Sequence, residues 1–425
     1  MPLRFPPRRR ALILLLLAAS VSACSRLREA PAATTPPDTI FDQVVELFRE
    51  ERMTEAVTLL QQRIAEEPRD AGSRALLGHL YHHLQMYPEG IRSAREALRI
   101  RECSSYAHVV LSTLYNPHQS GAAHTHADSA WTHALAAMEC DEADGNAWMN
   151  LYAQALERGD EALANRALVR LHELGFFAPD MVAHNRWVLE SLPTDAILVT
   201  NGDLDTYPAL ALQAALGVRR DVIVVNATYL NTPWYAERLA RMHRLPFETP
   251  PAVVTGMKIE QREDGSVILP ADRIIDGWRR MRLDGTLRRD IAFAPSLPDH
   301  AFEHGPGALR NAGTHRLLDP AAPADWMDEA AVASALQTAT ASNYVGPGTA
   351  KQDLSLVRNA YSIRGGVFPF LAGLELAEEQ IARGRRDDAR RTLAWLRAFA
   401  DEARLGSEHL TEMAALARQL DTAIR

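Results

Sequence analysis

Between residues 40 and 175, small and apolar residues recur with a period of roughly 34 residues, and few folds tolerate such a period. A unit of that length is a pair of helices that cannot bury its apolar face alone. Neighbouring pairs must therefore stack and share one continuous core. The clearest unit carries Leu77, Gly78 and Tyr81 on a first helix, with Ala94 and Ala97 on a second. The unit before it supplies Ala56, Leu60 and Pro68. A later one supplies Leu111 and Tyr115, then Ala127, Trp131 and Ala134 after a short insertion. A fourth supplies Trp148, Leu151, Ala164 and Leu168.

These residues and their offsets resemble the tetratricopeptide repeat, a helix–turn–helix unit whose small residues let the two helices pack closely. Gly90 departs from the pattern, standing where that repeat carries alanine. The resemblance implies a concave groove along the stack, and such grooves commonly hold a segment of a partner protein. Residues 326–345 and 354–422 also read as helix. There Leu376, Ala377, Ala389, Leu393 and Leu396 surround the turn Arg383-Gly384-Arg385-Arg386 and give another repeat-like pair.

The centre of the chain follows a different rule. Ala196-Ile197-Leu198-Val199-Thr200 is apolar, β-prone and too short for a helix. Residues 208–216 read as a helix, with Pro208 suited to its first turn and Gly217 to its end. Asp221-Val222-Ile223-Val224-Val225-Asn226 is a second buried strand, so strand, helix and strand make a parallel βαβ unit. Residues 289–294 are expected to form a third strand, Val253-Val254-Thr255 an edge strand, 263–266 a turn and 272–281 a helix.

Two segments in this centre carry a second resemblance. They are Thr200-Asn201-Gly202-Asp203-Leu204-Asp205-Thr206-Tyr207-Pro208 and the stretch from Gly217 to Asp221 that leads into Asn226-Ala227-Thr228-Tyr229-Leu230-Asn231-Thr232-Pro233-Trp234-Tyr235. Together they resemble the soluble C-terminal region of multi-pass membrane proteins of the protein O-mannosyltransferase-like kind. Residues 289–294, 315–320 and 357–393 echo further parts of that region. The membrane-embedded half of such proteins, which would carry sugar transfer, has no counterpart here. The resemblance therefore does not imply a glycosyltransferase.

In open parallel sheets, ligands sit beyond the carboxyl ends of the strands. Asn201, Asp203, Asp205 and Thr206 leave the first strand at that end, and Asn226 and Asn231 follow the second. Oxygen donors on adjacent loops suit a hard divalent cation or sugar hydroxyls, and two carboxylates can divide acid and base roles. The same residue types also terminate strands and cap helices, and Asp205 or Thr206 is well placed to cap the helix at Pro208. Spaced glycines of a dinucleotide loop, a phosphate-binding Gly-Lys-Ser/Thr loop and a Gly-x-Ser-x-Gly elbow are all missing from the sequence. No catalytic residue and no cofactor is assigned. His118, His124 and His126, in the insertion loop 116–128, are weak candidates for a metal, which wants about four fixed ligands.

The amino terminus reads as a targeting signal. Arg4, Arg8, Arg9 and Arg10 precede a short apolar stretch at 11–19 that ends in Val21-Ser22-Ala23-Cys24. This resembles a bacterial lipobox, with cleavage before Cys24 and lipid attached to its thiol. Ser25 and Arg26 lead into a small, proline-bearing tether at 30–37 that has too little apolar surface to fold. A net charge of −8 argues against a nucleic-acid partner. Export would permit a Cys103–Cys140 disulfide. Equivalent positions on neighbouring repeats, however, lie roughly 8 to 10 Å apart, beyond the ~7 Å that a bridge allows.

The expected architecture is a small Rossmann-like parallel α/β centre flanked by all-α tetratricopeptide-like repeats, mostly helical overall. Its expected parts are a signal peptide (1–23), tether (24–39), repeats (40–186), α/β domain (187–325) and helical C-terminal region (326–425). The leading functional expectation is a periplasmic protein, lipid-anchored through Cys24 with the outer membrane favoured, that binds a protein partner through its groove in a cell-envelope or glycan-handling assembly. The alternative is a sugar- or metal-binding α/β domain, with hydrolysis as an extension, centred on the loop 201–206.

Overall fold

The computed structural model describes residues 40–406 except 121–123, 263, 264, 266, 298–304, 322–325 and 346–363, and also residues 411, 413, 415 and 418. The lipobox and tether lie outside these residues. So does part of the expected turn at 263–266. The chain is mostly helical with a small mixed sheet, and it divides into two compact units.

The first unit spans residues up to 178. It holds α1 (Ile40–Arg49), α2 (Met53–Glu66), α3 (Ala71–His83), α4 (Tyr87–Ile100), α5 (Ser105–Tyr115), α6 (Ala127–Cys140), α7 (Gly145–Arg158) and α8 (Glu161–Glu173). Consecutive helices pack as pairs, and α5 also touches both α3 and α7, the arrangement of a helical-repeat stack. The turns are written locally: Asp70, Ser104, Asp144 and Asp160 each accept an N–H from the first turn of the helix that follows. Gly90 now has a reason. A Cβ there would stand 3.0 Å from the Gly78 carbonyl oxygen of α3 and 3.1 Å from Leu114 of α5, so an alanine would fit only if these neighbours moved back by a few tenths of an ångström. Ala94, Ala97, Leu111, Ala134 and Leu151 are fully buried along the stack.

Cys103 and Cys140 are joined, with Cα atoms 5.2 Å apart. The expectation from repeat spacing is corrected here, for a simple reason. Cys140 is the last residue of α6, whereas Cys103 lies in the turn three residues beyond the end of α4, so the two do not occupy equivalent positions.

The second unit begins at Pro179. After α9 (Pro179–Ser191) come β1 (Ile197–Thr200), α10 (Tyr207–Leu216), β2 (Ile223–Asn226), a 3₁₀ turn at Tyr229–Asn231, α11 (Pro233–His243) and α12 (Pro251–Thr255). A hairpin of β3 (Glu260–Gln261) and β4 (Val267–Ile268) follows, then α13 (Pro270–Leu283) and β5 (Ile291–Phe293). Next are β6 (Leu309–Asn311), β7 (Arg316–Leu318), β8 (Trp326–Met327), α14 (Glu329–Thr338), a 3₁₀ turn at Ala341–Tyr344, α15 (Val367–Ala382) and α16 (Arg386–Ala403).

The main sheet runs β2-β1-β5-β7-β6-β8. Its β2-β1-β5 half is parallel, with Ile197 opposite both Ile223 and Ile291. Beyond β5 the sheet is mixed: β7 pairs antiparallel with β5 and β6, and β8 pairs parallel with β6. Every residue of β1, β2 and β5 is buried, which is why these strands read as unbroken apolar runs. Val253-Val254-Thr255, expected as an edge strand, is instead helical in α12. Pro250 and Pro251 fix two successive φ angles, and Pro251 at the first position suits a helix start. Residues 326–327, expected as helix, extend the sheet as β8. Nor do the C-terminal helices stand apart: Phe370, Leu374, Leu393 and Leu396 share one core with Leu198, Val224, Ala292 and Leu317 from the sheet.

A buried imidazole makes this unit acid-sensitive. His184 on α9 stacks on Phe368 with ring centroids 4.1 Å apart and is 1% exposed. Burial pushes its pKa down to about 3. Near pH 6.5 the unfolded chain begins to take up a proton that the folded one refuses. Stability therefore falls with pH, at about 1.4 kcal/mol per pH unit, until the folded value is approached. His184→Phe, which preserves the stack, is expected to make the pH dependence shallower by one proton. Urea melts at pH 6.5, 5.5 and 4.5 measure it, and an unchanged slope would place His184 elsewhere.

Candidate functional site

The candidate loop leaves β1 at its carboxyl end, and Asp205 organises it. The Asp205 carboxylate is 4% exposed. It accepts the backbone N–H of Asn201 at 2.7 Å and of Gly202 at 2.8 Å, together with the Ser296 hydroxyl beyond β5. Burial pushes its carboxyl pKa up against the pull of these three donors. The loop thus curls back on its own side chain. The expected capping of α10 is corrected: neither Asp205 nor Thr206 caps it, and Thr206 is itself in a helical conformation.

Beneath the loop, hydroxyls and an amide tie β1 to β2. Thr200 donates to the Val225 carbonyl at 2.9 Å, and its hydroxyl lies 2.7 Å from that of Thr206. Asn226 donates its side-chain N–H to the Thr206 hydroxyl at 3.3 Å. The Asn226 backbone N–H meets the Tyr235 hydroxyl at 3.0 Å, and the Asn226 side-chain oxygen receives the N–H of Tyr229. Tyr207 and Tyr229 join their hydroxyls at 2.9 Å. Asn231 accepts the Ala271 N–H at 3.1 Å and so pins the start of α13.

Of the six residues expected to hold a ligand, Asp205, Thr206 and Asn226 are buried and bonded to one another's loops. Asn201 and Asp203 are exposed, and Asn231 is half-buried. Asn201 spends its side-chain N–H on the Ser296 carbonyl at 3.2 Å, and its own carbonyl accepts from Thr228. At the crevice the exposed Asp203 stands beside Gly202, where a Cβ would meet nothing within 4 Å. The arrangement can display one carboxylate on a rigid loop. It does not bring two acids together at a common reacting atom.

Ser296 was missed in the sequence, yet a signal for it existed. It follows the expected third strand at the same carboxyl end as the loop after β1. Arg219 was missed as well. Its guanidinium takes the carbonyls of Leu189, Leu192 and Pro193 at 2.8–2.9 Å and pairs with Asp221 at 2.8 Å, so the turn after α10 caps the end of α9.

The weak metal candidates do not converge either. His126 caps α6 by accepting the Ser129 N–H, His124 faces the Tyr87 ring at 6.4 Å, and His118 is held through its backbone N–H by Asn116. No group of three or more His, Cys, Asp or Glu residues able to hold a metal ion occurs among the described residues. No described helix is long and apolar enough to cross a membrane.

Fold and site together define a class: a stacked-helix unit and a small mixed α/β unit whose switch-point loop is tied down by its own hydrogen bonds. Over residues 181–268 the chain matches the family described as TMEM260-associated domain 2. That match runs from α9 to β4 and covers the Asp205 loop and the Asn226 segment, and it fits the resemblance to O-mannosyltransferase-like proteins drawn from those residues. No curated protein matches the chain.

Proposed function

We propose that this chain is an exported lipoprotein, anchored through Cys24 on the periplasmic side of a bacterial membrane, with the outer membrane favoured. Its tetratricopeptide-like stack holds a protein partner within a cell-envelope or glycan-handling assembly. The observation that carries this reading is the Cys103–Cys140 bridge, because structural disulfides persist in oxidising compartments. The stack itself supports the partner reading, since its first helices α3, α5 and α7 adjoin to make one extended face.

Metabolic labelling with a radioactive fatty acid tests the anchor. Wild type is expected to take up label and fractionate with membranes, and Cys24→Ser to do neither; equal labelling of both would remove the lipoprotein reading. Cross-linking in cells tests the partner: deletion of residues 40–175 is expected to abolish the cross-linked species. The alternative sugar- or metal-binding reading finds less support, since Asp205, Thr206 and Asn226 already have protein partners.

A further inference from the structure

The turn between β6 and β7 holds a buried histidine whose proton can be placed by counting. His315 is 4% exposed. Its Nδ1 lies 2.8 Å from the Thr314 hydroxyl and 3.4 Å from the Ser191 hydroxyl at the end of α9, and the two hydroxyls are 2.5 Å apart. Ser191 donates to the Val188 carbonyl at 2.7 Å, so the proton between the hydroxyls comes from Thr314. Thr314 then has no proton for Nδ1, and the ring must donate there. Burial, aided by the Arg310 charge, pushes the pKa of the ring down to about 4, so near pH 7 it is neutral and carries one N–H. Nε2 is therefore a bare acceptor, and it has no hydrogen-bond partner among the described residues.

The same ring lines a cavity of about 60 Å³, reached by Pro295 two residues beyond β5. Glu375 and Glu378, three residues apart on α15, line it as well. Asn311 donates to one Glu375 oxygen at 2.7 Å, and Glu378 is exposed, so the cavity meets solvent on that side. Against these two carboxylates the wall sets one guanidinium, that of Arg316. Phe368, Leu371 and Leu374 supply its apolar part.

We propose that this cavity binds a primary ammonium on a short aliphatic stem. The N–H groups of the ligand reach His315 Nε2 and the carboxylates of Glu375 and Glu378, while the stem lies on Phe368, Leu371 and Leu374. Three acceptors match the three donors of an ammonium, and the excess of carboxylate selects a cation over a neutral isostere. The volume has room for on the order of four waters, which suits an inserted group of about four heavy atoms. A free alkylamine and the end of a lysine side chain both present that group. A metal ion is a poorer match, because no three His, Cys, Asp or Glu residues converge among the described residues.

Saturation-transfer NMR on the full chain in detergent tests the site with n-propylamine, beside n-propanol and propionate as neutral and anionic isosteres. Three variants accompany it. Glu375→Gln keeps an acceptor for Asn311, Glu378→Gln changes an exposed position, and His315→Asn keeps a donor near the place of Nδ1 while deleting Nε2. Wild type is expected to transfer saturation to the amine and to neither isostere. Affinity for the amine is expected to fall about tenfold or more in Glu375→Gln and His315→Asn. The two glutamine variants should melt within about 2 °C of wild type. If His315→Asn does not fold, the glutamine variants carry the test.

Equal transfer to n-propanol or propionate overturns the assignment, and so does unchanged affinity in the folded variants. Long-range proton–nitrogen spectra of histidine-labelled protein read the tautomer directly, and a proton on Nε2 would overturn it too. Binding of Nα-acetyl-lysine amide at least as tightly as n-propylamine assigns the ammonium to a lysine side chain. Binding of n-propylamine alone assigns it to a free amine, and either result supports the ammonium site.

Discussion

Reducing the Cys103–Cys140 bridge is expected to lower the melting temperature of the repeat unit by roughly 8 to 16 °C. The bond closes a loop across a sequence separation of 37 residues. In the chain-entropy description, closing such a loop in the unfolded state contributes about 4 kcal/mol. For a unit of this size each kcal/mol is worth roughly 2 to 4 °C. The measurement is a pair of thermal melts with and without reductant, alongside the Cys103→Ser, Cys140→Ser double variant. The variant should behave like reduced wild type and should not respond to reductant. An internal control comes from the second unit, which has no cysteine among its described residues, so its transition should stay in place. A shift below about 2 °C would mean that the bridge contributes little to the native fold, and the compartment argument built on it would lose its footing.

The helical pairs and the two central strands were legible for the same physical reason: each depends on local periodicity. Leu77, Gly78 and Tyr81 fall on one face of a helix by spacing alone, and Ile197, Leu198 and Val199 form an unbroken apolar run because β1 is covered on both faces. What escaped depends on partners distant in the chain. Strands β6, β7 and β8 are two or three residues long, and only Leu317 and Leu318 of β7 are buried among them, so no pattern marks them before β5 offers an edge. The bridge escaped because its distance was reckoned between equivalent repeat positions, which Cys103 and Cys140 do not occupy. The site was half-legible. Asp and Asn after strands were visible, but whether their oxygens face a ligand or each other depends on Ser296, ninety-one residues from Asp205. Asp205 was therefore visible as a polar residue at a switch point and invisible as the post around which its loop is wound.

Asp205→Ala should therefore act on the fold, and its neighbour Asp203 provides the contrast. Removing the Asp205 carboxylate strands two backbone N–H groups and the Ser296 hydroxyl. Each buried donor left without a partner costs about 1 to 3 kcal/mol. Because Asn201 is exposed and can turn to water, the total is expected near 3 kcal/mol, or roughly 6 to 12 °C in the transition of the second unit. Asp203→Ala, at an exposed position, should stay within about 0.5 kcal/mol of wild type. Denaturant melts of the two variants, with thermal shifts in divalent metals and sugars alongside, separate the possibilities. If Asp205→Ala is strongly destabilised and Asp203→Ala is silent in every condition, the loop is a structural clasp. Suppose instead that Asp203→Ala is stable but loses a ligand-induced shift that wild type shows. The exposed carboxylate would then be the recognition group, and the rigid loop wound around Asp205 would be what holds it in place.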